Sequence, residues 1–254
     1  MRFHIVTIFP NIFDSYLNES ILGRALRPGS GQAGKKKSLI EVYFYNPRDF
    51  VKAPKNNYKP VDDKPYGGGP GMVMRAEPIL KAVDFILKKI STPSRKRATP
   101  QEGNKKIQII NFIPSAEKFT TSLAKTFSKK YTDIILICGR YEGIDERVNT
   151  ILRQAQDKFI KFEKLSIGDY VLTGGELPAM ILVDCISRQI PGVLGKYESL
   201  EEERISSSEV YTRPEKLIYP FGKTQGKKNK SYKVPKVLLS GNHKKIEEWK
   251  QKNK

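Results

Sequence analysis

Histidine and cysteine are scarce in this chain of 254 residues, with two of each. His4, His243, Cys138 and Cys185 cannot assemble a zinc constellation. Both cysteines sit in apolar runs, which argues for a reducing compartment and against a disulfide framework. No apolar run reaches the roughly 20 residues needed to span a bilayer. The N-terminus passes straight into a strand-like segment, without the h-region or cleavage site of a signal peptide. These absences point to the cytoplasm and away from a membrane. Nucleotide-binding signatures are missing too. Gly67-Gly68-Gly69-Pro70-Gly71 lacks the Lys-Ser/Thr of a Walker A loop, and no G-x-G-x-x-G follows a strand. Cys138 has no histidine near it in sequence and reads as a buried, inert thiol.

Acidic residues are also in short supply: 27 against 46 lysines and arginines, a net charge of +19. A field of that sign favours a polyanion such as nucleic acid. Lysine runs such as Lys35-Lys36-Lys37 and Lys227-Lys228 equally fit a lysine-rich solvated surface.

What is present is an alternation of strands and helices. Arg2 to Ile8 and Leu39 to Tyr45 alternate as strands, and Ile12, Phe13, Tyr16 and Leu17 fall on one helical face. Residues 46–75 are rich in turn formers and read as a long loop, of a kind that is usually functional or disordered. Glu77 to Ile90 carries one apolar stripe of Ile79, Leu80, Val83, Ile86 and Leu87. Ile107 to Ile113 reads as a strand ending at Pro114, with Ser115 placed to cap the next helix. Polar stretches at 28–38, 91–105 and 153–161 read as insertions. The expected fold class is therefore α/β with a parallel sheet.

Two strand–glycine–helix junctions stand out. Ile134 to Cys138 reads as a buried strand breaking at Gly139-Arg140-Tyr141-Glu142-Gly143. Tyr170-Val171-Leu172 reads as a short strand running into Gly174-Gly175 and an apolar helix from Leu177 to Ile190. Glycine lets main chain approach a ligand closely, and amides freed at such turns make donor-rich concavities. Taken alone, Tyr170 and Leu172 read equally well as core, and Gly174-Gly175 as a plain turn.

The strings at 138–147, 166–179 and 187–195, with Val61-Asp62-Asp63 through Met72, Tyr211-Thr212-Arg213-Pro214 and Val237 through His243, closely resemble the bacterial tRNA (guanine-N1)-methyltransferases of the SPOUT class. The resemblance covers nearly the whole chain. It implies methyl transfer from S-adenosylmethionine to N1 of the guanine at tRNA position 37, 3′ of the anticodon. It implies a SPOUT-type parallel sheet whose C-terminal part forms a trefoil knot, plus a small, mainly helical C-terminal domain. Divided on that basis, residues 1–194 form the knotted catalytic domain, 195–209 an acidic, serine-rich linker, and 210–254 a short basic tRNA-binding domain. Motif by motif, it assigns cofactor binding to Pro114, Gly139, Tyr141, Gly143, Ile167, Gly168, Asp169, Tyr170, Val171, Leu172 and Gly174. It also implies a homodimer with the site between subunits, and help from Mg²⁺ for which the sequence offers no protein cage.

Guanine N1 carries a proton, so the reaction calls for a general base, commonly worth roughly 10²–10⁴-fold, and for a cation or donor near O6. The target base has to leave its stack. Arg188 matches the family's catalytic arginine; its bland alternative is an i, i+4 pair with Asp184, worth ~0.2–0.5 kcal/mol. The family places its base, an aspartate, in the linker, where this chain carries Glu203 followed by Arg204. Glu201 and Glu202 are neighbouring candidates. This departure, with the short C-terminal segment, supports a rival reading: an RNA-binding homologue with weak or lost turnover. In the basic segment, Arg213, Lys216, Lys223, Lys227, Lys228, Lys230 and Lys233 are expected to grip tRNA phosphates.

Overall fold

The computed structural model of the chain describes residues 1–28, 38–52, 58–92, 105–194, 208–218 and 231–253. The chain divides into two compact units, Met1–Gly195 and Lys196–Lys254.

In the first unit, β1 (Arg2–Val6) leads through a 3₁₀ turn to short helices α1 (Asp14–Leu17) and α2 (Ser20–Leu26), then to β2 (Glu41–Tyr45). The long loop holds a two-stranded antiparallel hairpin, β3 (Asp62–Asp63) and β4 (Val73–Met74). There follow α3 (Ala76–Ser91), β5 (Ile107–Lys118), α4 (Thr121–Lys130), β6 (Asp133–Ile137), α5 (Arg147–Gln154), β7 (Ile160–Ser166) and α6 (Glu176–Arg188).

The main sheet is parallel throughout, in the order β2-β1-β6-β5-β7. Every residue of the central strand β6 is buried, because helices cover both faces of a parallel sheet. On one face Ile134 and Leu136 join Phe3, Ile5 and Phe13 beneath Leu182, Val183 and Ile186 of α6. On the other, Ile135 and Ile137 join Val6 and Ile109 beneath Ile79, Val83 and Ile86 of α3 and Val148 of α5. Each such fully buried isoleucine or leucine contributes about 1.5–3 kcal/mol. At its start β6 carries a buried charge: Asp133 accepts from Arg2 and lies 3.0 Å from His4 Nε2, whose other ring nitrogen lies 3.2 Å from the Tyr45 hydroxyl.

The structure corrects four expectations. Tyr170 to Leu172 is not a strand; the edge strand is Ile160–Ser166, and the chain leaves the sheet beyond it. Residues 153–161 are therefore not an insertion. They hold the end of α5, a turn in which Asp157 Oδ1 accepts from the amides of Phe159 and Ile160, and the start of β7. β5 also continues past Pro114 to Lys118 through an irregularity between Phe112 and Glu117, which both face Leu165. Proline has no N–H for a ladder, so a bulge accommodates it. Thr120, not Ser115, caps α4, its hydroxyl accepting from the Leu123 amide. Most of 28–38 and 91–105 falls outside the described residues.

In the second unit, β8 (Lys216–Ile218) pairs antiparallel with β9 (Ser231–Lys233), followed by α7 (Lys236–Leu239) and α8 (His243–Lys252). Asn242 caps α8 by accepting from the Lys245 amide. The Tyr211 ring meets Trp249 edge-on at 6.2 Å, and Ser208 donates to the Asn253 carbonyl.

Candidate cofactor site

β6 delivers the chain to Gly139, and the following turn is held on three sides. Met74 accepts from the Arg140 amide through Sδ and from the Asp145 amide through its carbonyl, while its own amide donates to Gly143. The Glu142 amide donates to the Met72 carbonyl. The glycine-rich loop is thus docked along this turn, and Gly71 sits at φ +82°, a conformation that favours glycine, against the Glu142 side chain. Tyr141 sits at φ 59°, a left-handed conformation that costs a non-glycine residue energy.

Arg140 ties this turn to the second junction. Its Nε lies 2.9 Å from Glu176 Oε2, its Nη1 donates to the Thr173 carbonyl, and its guanidinium sits 4.7 Å from the Phe9 ring centre. Glu176 is buried and also accepts from the Thr7 hydroxyl. The Gly175 amide donates to the Gly139 carbonyl at 2.9 Å. A Cβ on Gly175 would lie 2.7 Å from the Cys138 main chain, so only glycine permits that approach. Burial, with the Glu176 carboxylate nearby, pushes the Cys138 thiol up, which keeps it protonated.

The other wall is looser. Past β7, Ser166 Oγ accepts from the Gly168 amide and donates to the Gly168 carbonyl. The Tyr170 ring folds back over Gly168, where a Cβ would come within 2.3 Å of it, and its hydroxyl donates to the Ile167 carbonyl. The amides of Tyr170, Val171 and Leu172 donate to no protein group among the described residues.

Between these walls lies a cleft of about 380 Å³, the size class of a small-molecule site. Pro114, Gly139, Tyr141, Gly143, Ile167, Gly168, Tyr170, Val171, Leu172 and Gly174 all line it. Asp169 does not; its carboxylate pairs with Lys118 at 2.5 Å on the exposed side of the loop. Three residues that sequence reasoning passed over, Asn111, Asn149 and Glu146, form the cleft's polar flank, and a fourth, Lys164, braces it from outside the lining. Asn111 Nδ2 donates to Asn149 Oδ1 at 2.7 Å, Asn149 Nδ2 donates to Glu146 Oε2 at 2.6 Å, and Lys164 pairs with Glu146 Oε1 at 2.8 Å. The bond from Lys164, then that from Asn149, holds the Glu146 carboxyl below its ordinary range. The available signal was Asn111 itself, a polar residue inside an apolar strand.

A cleft walled by glycine-rich main chain, with free amides on one side and no cysteine or histidine in its lining, suits holding a ligand more than attacking it. A family model described as tRNA (Guanine-1)-methyltransferase TrmD matches residues 1–254. The chain belongs to this methyltransferase family. It is 44% identical to the tRNA (guanine-N(1)-)-methyltransferase of Clostridioides difficile, the match covering 99% of this chain and 91% of that protein. It is 41% identical to the Dictyoglomus turgidum protein of the same name over 99% of this chain and 84% of that one. The Thermomicrobium roseum protein is 43% identical, with 99% and 78% covered.

Arg188, matched to the family's catalytic arginine, lies outside the cleft lining. Arg188 is half-buried at the last position of α6. It makes no pair with Asp184, which accepts from the Tyr16 hydroxyl instead. Glu203, like Glu201, Glu202 and Arg204, lies outside the described residues, as do Lys223, Lys227, Lys228 and Lys230. Among the described residues no group of three or more His, Cys, Asp or Glu could hold a metal ion.

Proposed function

We propose that this protein methylates N1 of the guanine at tRNA position 37, with S-adenosylmethionine as methyl donor. The observation that carries the reading is the cleft: the chain matches the family from end to end, and ten of the eleven residues its motifs assign to the cofactor, all but Asp169, line one cavity. The cleft fits the donor in kind. The glycine main chain of Gly139 and Gly143 in the lining suits close approach by a flat ring system, and the open amides of Tyr170 to Leu172 suit its acceptors. When bound, the sulfonium supplies an already activated methyl group.

The protein's own task is then the proton on N1. Arg188 is assigned to O6, where charge develops, and Glu203 takes the proton. Exposed apolar side chains of Phe9, Ile12, Tyr16, Leu177 and Ile181 support a homodimer that brings the partner's linker to this site. The 2.9 Å bond from Gly175 to Gly139, where the two junctions meet, supports a knotted connection. The exposed, basic second unit supports phosphate gripping around Arg213, Lys216 and Lys233. The family's Mg²⁺ is assigned to the RNA. The free cysteines Cys138 and Cys185 and the tRNA substrate support a cytoplasmic location.

Methyl transfer from labelled donor to an unmodified tRNA transcript tests this directly. Guanine at position 37 must accept label and adenine there must not. Arg188→Ala should lower the single-turnover rate by at least roughly 10²-fold while affinity for S-adenosylhomocysteine stays within two-fold; retention of most activity removes Arg188 from the chemistry. The Glu203-Arg204 pair favours one rival, a tRNA-binding homologue without turnover, and tight tRNA binding with no labelled product would establish it.

A further inference from the structure

The polar flank of the cleft contains an atom that the proposed chemistry does not use. Asn111 is 2% exposed, and its Oδ1 has no hydrogen-bond partner among the described residues. Buried acceptors are rarely left in that state. Its orientation is not arbitrary. Glu146, kept anionic by Lys164, can only accept, so the amide nitrogen of Asn149 must face it at 2.6 Å. Asn149 therefore presents its oxygen to Asn111, whose nitrogen must donate at 2.7 Å. Oδ1 is what remains at the end of the chain. The carboxylate at the far end polarises both amides in one direction, which strengthens that last acceptor. Asn111, Asn149 and Glu146 all line the cleft.

We infer that Asn111 Oδ1 accepts a hydrogen bond from the bound methyl donor, and that Asn149, Glu146 and Lys164 are positioning residues that fix it for that purpose. The inference rests on the cofactor reading above and names a recognition element within it. The ligand chemistry is an N–H or O–H donor, available on the adenosine part or as the α-ammonium of the amino-acid tail.

Calorimetric titration with S-adenosylhomocysteine and with 5′-methylthioadenosine, which lacks the tail, separates these sources. Asn111→Leu should bind S-adenosylhomocysteine about ten-fold more weakly, the scale of one buried hydrogen bond. Asn149→Leu, which keeps Oδ1 but loosens it, should lose about three-fold. If Asn111→Leu weakens both ligands alike, the donor is on the adenosine; if only S-adenosylhomocysteine weakens, it is the α-amino group. Should Asn111→Leu not fold, the double variant Asn111→Leu/Asn149→Leu removes both buried amides together and must bind about ten-fold more weakly than wild type. Loss within two-fold for both ligands overturns the inference, and so does an equal loss in Asn149→Leu, which would mark the chain as structural. Wild-type protein that binds neither ligand would overturn the cofactor reading itself, a result distinct from either.

Discussion

The two walls of the cleft are built from similar sequence and held in opposite ways. The turn at 139–145 is locked before any ligand arrives: Met72 and Met74 bond it along one side, and Arg140 clamps it to Glu176 and Thr173 on the other. The loop at 167–173 is held by Ser166 at its root and by its own tyrosine, with Tyr170 and Val171 53% and 82% exposed. One wall therefore supplies a fixed template, and the other, held by fewer bonds, supplies open amides. Rigid support for one face lowers the ordering cost of binding.

The largest effect should come from the rigid wall. Arg140→Met leaves Glu176 as a buried carboxylate without its cation, which costs about 3–5 kcal/mol. Urea unfolding followed by circular dichroism should show that loss. A loss below about 1 kcal/mol would mean the clamp is not what holds the turn.

On the loose wall the same logic predicts a binding defect rather than an unfolding one. Gly168→Val pushes its side chain against the Tyr170 ring. Overpacking of this kind costs about 1–3 kcal/mol, but an exposed loop can relieve it by moving. Affinity for S-adenosylhomocysteine should therefore fall by roughly 10–100-fold with the urea midpoint nearly unchanged. Equal losses of stability and affinity would erase the distinction between the walls.

The rigid wall was also the more legible one. Ile134 to Cys138 announces a buried strand by its unbroken apolar run, and the structure places β6 there with a one-residue offset. The loose wall misled, because Tyr170-Val171-Leu172 alternates like a strand but has no neighbour to pair with: β7 already occupies the sheet edge. Instead Tyr170, Val171 and Leu172 all contribute to the cleft lining. β7 itself was hidden by Lys161, Glu163 and Lys164, the charged residues expected of an edge strand. The polar chain from Lys164 to Asn111 joins residues brought together from two strands and a helix, a proximity that local spacing does not encode.

A third test concerns how the rigid wall is held at its other end. Burial works to raise the Asp133 carboxyl, but hydrogen bonds from His4 and Arg2 outweigh it and hold the group below its ordinary range. A depressed folded-state value stabilises the protein fully above the unfolded value of about 3.9, and that contribution is lost as pH falls through the folded value. Stability measured in urea should thus be flat in this respect above about pH 5 and decline below pH ~4. Asp133→Asn should remove that part of the acid slope. An unchanged slope would place the acid sensitivity elsewhere, among surface carboxylates.

The smallest effect belongs to the loose wall, and its smallness is the point. Lys118 pairs with Asp169, but both side chains are well exposed, and pairs of that kind contribute about 0.5 kcal/mol or less. Lys118→Ala should leave the urea midpoint essentially unmoved. It should also leave S-adenosylhomocysteine affinity within two-fold, because Asp169 stands outside the cleft lining. High salt provides the control: screening acts on exposed pairs, so any residual difference between Lys118→Ala and wild type should shrink at 1 M salt. A ten-fold change in affinity would show that the ion pair presets the loop, and the second wall would then count as a template like the first.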